Sequence, residues 1–213
     1  MRYSVFIKKH GIYWLITLLI SLVLFIAVIL IENELVYSNV IVEKAIEVRE
    51  IITSIKNETC ESPISFKQND NNEYRQTGEN VLNKFLKLVL IIFLNNALLN
   101  TIYIIPIVGT IVYVNTLINT SLISKYISMQ YRRNWFRHIL ETVLLSPHTY
   151  LELLAYSITI TESIWITVLY MKSLVKKNWV DEFKTIDYSI VSIGLSYVIL
   201  LIASLIESMT IIQ

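Results

Sequence analysis

Between Leu88 and Ser124 the chain runs for 37 residues without a single charged side chain. As one straight helix this stretch would reach about 55 Å at 1.5 Å per residue. The hydrocarbon core of a bilayer is about 30 Å thick, so the run predicts two passes joined by a turn. Pro106 and Gly109 mark the turn, because proline interrupts the helical hydrogen-bond ladder and glycine tolerates unusual backbone angles. The asparagines are placed about the same point. Asn100 and Asn115 are equidistant from it, as are Asn96 and Asn119, so each pair is expected at one depth on neighbouring helices. Asn96 and Asn100, and likewise Asn115 and Asn119, are spaced i,i+4 and share a helix face. Amides in lipid seek partners across helix interfaces. Packing contacts and a polar path are both consistent with the pattern.

Composition agrees with lipid as the solvent: 54% of the residues are apolar and only 16% charged, against about a quarter charged in soluble domains. Three further passes are expected. Ile12–Ile31 is uncharged for twenty residues and is closed by Glu32 rather than by a cleavage site. His148–Met171 follows Pro147, and Ile186–Ile206 has only Asp187 near its entry. The predicted fold is all-α: a polytopic bundle of about five transmembrane helices with an external helix and loop between the first and second. Arg2, Lys8 and Lys9 put the N-terminus in the cytoplasm of a cell-membrane protein, and Lys172, Lys176, Lys177 and Lys184 suit a cytoplasmic loop. Lys125, Arg132, Arg133 and Arg137 resist this scheme, since parity puts their connection outside. The net charge of +1 points to no nucleic-acid partner, and the lone Cys60 excludes an internal disulfide framework. No metal-ligand spacing or cofactor motif is visible. The expected units are 1–31, a cytoplasmic N-terminus and anchor; 32–83, an extracytoplasmic segment; and 84–213, a four-pass core.

The 32–83 segment carries ten acidic and five basic residues. Ile41, Ala45, Val48, Ile52 and Ile55 follow 4-3-4-3 spacing, the pattern of an amphipathic helix. Such a helix packs on the protein's own surface or docks a membrane or envelope partner through residues 35–56. Asn57-Glu58-Thr59 is a glycosylation sequon, which matches an outer location. Residues 63–80 read as a polar loop.

Glu152, Glu162 and Glu207 lie within or at the edge of apolar passes, where carboxylates are costly and usually paired or functional. His148 and Glu152 share a helix face at i,i+4, and parity brings Glu207 to their depth near the outer surface. A structural knot, a proton or substrate site and a metal site are all open, although two ligands without a third suit a metal poorly. No nucleophile–base pairing suggests an enzyme.

These residues also carry a likeness. The chain resembles the stage II sporulation protein M family from about Phe85 to the C-terminus. The paired asparagines of "FLNNALLNTI" (Asn95, Asn96), the break at Gly109 and Asn119 follow the family's order. So do Pro147, His148 and Glu152 in "SPHTYLELLA" and the closing Ile206-Glu207. Thr120, Thr149 and Leu154 stand where the family usually has Gly, Gly and Pro, which marks a divergent member. The resemblance implies a non-enzymatic membrane scaffold that recruits partners in an envelope complex. A transport subunit with an intramembrane polar path, lined by Asn95, Asn96, Asn100, Asn115, Asn119, His148, Glu152 and Glu207, is the alternative. Oligomerisation is left open, and no cofactor is implied.

Overall fold

A computed structural model describes residues 3–30, 41–46, 50, 73–131, 134–176 and 180–212, and these are helical apart from short turns. The helices are α1 (Tyr3–Leu30), α2 (Glu73–Tyr103), α3 (Val108–Tyr131), the short α4 (Trp135–Ile139) running into a π-helical turn (Leu140–Leu144), α5 (Pro147–Lys176) and α6 (Val180–Ile212). The chain is an all-α helical bundle. Four segments are long and apolar enough to cross a membrane: His10–Leu30, Leu82–Tyr103, Pro147–Ser173 and Ile186–Ile211. The protein is therefore a multi-pass membrane protein.

The expected third pass is the departure. α3 spans 24 residues, about 36 Å, so its length suffices. Asn115, Thr116, Asn119, Thr120, Ser121, Ser124 and Lys125 dilute its apolar character, and it is not among the four apolar spans.

The turn between α2 and α3 falls where Pro106 and Gly109 predict it. Ile104 and Ile105 end α2 with i→i−3 bonds to Thr101 and Ile102, and Gly109 N donates to Ile105 O at 2.7 Å. The reversal is tight enough that a Cβ on Gly109 would collide with the Tyr103 carbonyl group. Ile107 takes φ 65°, a region that β-branched residues rarely occupy.

Specific contacts fix the helix directions. Tyr113 donates to Ser21 and Val28 clusters with Leu122, so α1 and α3 run parallel. His10 meets Glu162 while Thr17 meets Thr161, so α5 runs against α1. Ser189 reaches Glu162 and Ser196 reaches Thr159, so α6 runs against α5. The five long helices thus alternate in direction along the chain.

Burying apolar side chains in lipid gains little over leaving them exposed to it, so helix contacts depend on close packing and hydrogen bonds. α5 and α6 form the most extensive pair. Their seam is lined by small residues, with Ala155 and Thr159 facing Ser189, Ser192, Ser196, Ala203 and Ser204, all buried. Tyr103, Tyr113 and Tyr156 meet edge to face, with ring centroids 5.2–6.4 Å apart. They tie α2, α3 and α5 together, and Tyr113 adds α1.

Part of the segment between α1 and α2 is described. Ile41 and Ala45 are buried, Ile41 against Val28 and Leu122, and Glu43 and Lys44 are exposed. The apolar face of this helical stretch packs on the chain's own bundle. Val48, Ile52, Ile55 and Asn57 lie outside the described residues.

Lys125 and Arg137 of the basic connection after α3 are described, while Arg132 and Arg133 lie outside the described residues. Lys125 is buried with its Nζ 5.1 Å from the Trp135 ring centroid. Arg137 is paired with Glu141 at 2.7 Å in the open, and Ile139 inserts into the core. That ion pair holds the Arg137 guanidinium charged over a still wider pH range than usual.

Candidate functional site

Two layers of carboxylates lie at different depths of the bundle, joined by α5. The first is built on Glu162, which is completely buried. Its Oε1 accepts hydrogen bonds from Trp14 Nε1 at 2.9 Å and faces His10 Nδ1 at 2.9 Å, while Ser189 Oγ donates to Oε2 at 2.7 Å. Groups from α1 and α6 converge on one α5 carboxylate, and both of its oxygens are engaged. A carboxylate with this many partners is a structural centre: it can stay buried because its donors replace water. His10 also stands edge-on to Trp165, with centroids 4.9 Å apart.

The second layer lies ten residues back along α5, about 15 Å away. Asn96 Nδ2 donates to Glu152 Oε1 at 2.6 Å, and Glu207 of α6 is close enough for its charge to act on Glu152. Two carboxylates from adjacent helices therefore lie within electrostatic range of each other, and the Asn96 amide donates to one of them, Glu152. Three buried polar atoms close to these residues in sequence have no hydrogen-bond partner. His148 Nδ1, one turn before Glu152, is buried without a hydrogen-bond partner. The same holds for Ser208 Oγ beside Glu207 and Asn100 Oδ1 one turn beyond Asn96.

Between the layers, Asn100 Nδ2 donates to Ser196 Oγ, and Ser196 shares a hydrogen bond with Thr159 Oγ1, each at 2.9 Å. Ser163 Oγ caps the Ile104 carbonyl freed at the end of α2. Polar groups thus occupy the interior from one carboxylate layer to the other.

The expected asparagine pairs do not form. Asn100 bonds α6 rather than Asn115, and Asn96 bonds Glu152 rather than Asn119. Asn115 is exposed and Asn119 half-buried on α3, and Asn95 is exposed on α2. The symmetric spacing placed the amides at matching depths, but the shared face of Asn96 and Asn100 is turned toward α5 and α6. His148 reaches the layer of Glu152 in sequence but makes no hydrogen bond to either carboxylate through Nδ1. His10, Trp14 and Ser189 were not anticipated at all. The signal for them was Glu162 itself, since a carboxylate deep in an apolar pass requires donors from elsewhere. Comparison with family models, with curated proteins and with solved structures finds no match for this chain.

Proposed function

We propose that this chain is a membrane transport subunit that takes up and releases a proton at the Glu152–Glu207 pair. The observation that carries the reading is the disparity between the two carboxylate layers. Glu162 has a donor for each oxygen, whereas Glu152 has the Asn96 amide on one oxygen and a second carboxylate, Glu207, within electrostatic range. Two negative charges within range of each other in a low-dielectric interior repel, so in this reading the pair holds a proton at rest. The unengaged Nδ1 of His148 and the hydroxyl of Ser208 supply groups through which that proton can arrive and leave. In this reading the N-terminus lies in the cytoplasm of a cell membrane, 32–83 is extracytoplasmic, and the pair sits toward the outer face.

A second reading has support of its own. While Asn95 is exposed and Asn119 lies on α3, three of the residues that carry the likeness to the stage II sporulation protein M family, Asn96, Glu152 and Glu207, come near one another. In a scaffold they would act as a knot holding α2, α5 and α6. Ile41 and Ala45 are already covered by the bundle, so a partner would dock elsewhere than on that part of 35–56.

One comparison separates the readings. The protein is reconstituted in vesicles with an internal pH dye, and an imposed pH gradient is followed for wild type, Glu207→Gln and Glu207→Ala. Proton exchange through the pair requires that wild type collapse the gradient and that both variants fail, with Glu207→Gln still folded. A wild-type protein that leaves the gradient intact, or a Glu207→Gln variant with wild-type flux, overturns the transport reading. A mild Glu207→Gln and a destabilised Glu207→Ala, with no flux in any form, favour the scaffold.

A further inference from the structure

A groove of about 350 Å³ runs between α1 and α5 at the end of the bundle that holds Glu162. Its walls are Tyr13 and Ile16 on one side and Ile164, Trp165 and Val168 on the other. Its floor is polar: Thr17 Oγ1 and Thr161 Oγ1 are hydrogen bonded at 2.9 Å, and His10 lies against Glu162. Both helices are among the apolar spans, so the groove opens toward acyl chains. Lys172 puts a positive charge at its lip: it is exposed, with its Nζ 5.9 Å from the Trp165 ring centroid. An apolar slot with aromatic walls and a basic lip fits one acyl chain below and a phosphate above. Its volume lies within the range of small-molecule sites.

We infer that the α1–α5 groove is a binding site for one anionic phospholipid, its chain along Ile16, Ile164 and Val168 and its phosphate at Lys172. Occupancy would brace α1 against α5 at the point where His10 and Trp14 engage Glu162. The site is independent of the Glu152–Glu207 pair and does not rest on the transport reading.

Native mass spectrometry of the full chain in detergent, titrated with phosphatidylglycerol or phosphatidylcholine, tests the inference. One saturable phosphatidylglycerol adduct is expected, at least fivefold tighter than phosphatidylcholine. Lys172→Gln should remove most of that preference, and Val168→Trp, which fills the slot, should abolish the adduct for either lipid. Leu98→Trp, an equally conservative change on an exposed stretch of α2, should leave it intact and controls for folding. Equal, unsaturable adducts of both lipids overturn the proposal, as does a Val168→Trp protein that still takes up phosphatidylglycerol. Displacement of the lipid by millimolar inorganic phosphate would overturn it too, because the site would then hold a free anion.

Discussion

Replacing Glu162 with alanine removes the acceptor of Trp14 Nε1 and of Ser189 Oγ in the interior at once. A buried donor left unsatisfied costs about 1–3 kcal/mol. Glu162→Ala is therefore expected to be among the most destabilising single changes, with Glu162→Gln clearly milder because an amide oxygen still accepts from Trp14. Thermal unfolding in detergent checks the order, and equal stability of the two variants would contradict the structural role. The asparagines give a second contrast. Asn100→Ala removes a bond to Ser196 and should cost about 0.6 kcal/mol, the average for interhelical polar contacts in lipid. Asn115→Ala removes an exposed amide and should cost nothing measurable. A larger loss at Asn115 than at Asn100 would mean that the amides pair across the α2–α3 hairpin after all.

The hairpin between α2 and α3 rests on its glycine. Gly109→Ala forces a Cβ against the Tyr103 backbone, which cannot yield as a flexible side chain can. A loss of about 1–3 kcal/mol is expected, as for other overpacking changes, measured by the same unfolding assay. Ile107→Gly should act oppositely and raise stability by about 1 kcal/mol, since it relieves a positive φ at a β-branched residue whose side chain is exposed. This turn was legible in the sequence because length against bilayer thickness demands a break, and only Pro106 and Gly109 stand near the middle. That Glu152 and Glu207 come to a common level of the bundle was legible for the same reason, since rise per residue converts position into height. Rotation about each helix axis was not. Charge-free passes have almost no polar face to mark inside from outside, so Asn96 and Asn100 could be set at the correct height and matched to the wrong neighbour. Lys125 was read as part of a basic loop, yet packing under Trp135 draws it into the bundle.

For the molecule as a whole, the alternating helix directions put the 104–107 turn and the α4–α5 junction at opposite ends of the bundle. With Cys60 replaced, cysteines at exposed Ile105 and Leu145 should react with an impermeant thiol reagent from opposite sides of the membrane. Labelling of both from one side would mean that α3 does not cross. The serines between α5 and α6 carry a mechanical consequence. Ser192, Ser196 and Ser204 each donate back to a carbonyl of their own helix, at Tyr188, Ile193 and Leu200. Ser192 and Ser204, bonded in this way, give the two helices a close fit without riveting one to the other, whereas Ser196 also meets Thr159. Among the described residues, Ser189 at Glu162 and Ser196 at Thr159 are the hydrogen-bonded cross-links in the nearer half of the seam, while Ala203 and Ser204 in the farther half make none across it. α6 is thus clamped by hydrogen bonds toward its start, and Glu207 rides toward its other end. A small tilt about the clamp changes the gap between Glu207 and Glu152 while every serine keeps its bond. Spin labels near 190 and near 209, each paired with a label on α5, should report a narrow distance distribution at the clamp and a broad one at the tip; equal widths would show a rod fixed along its whole length.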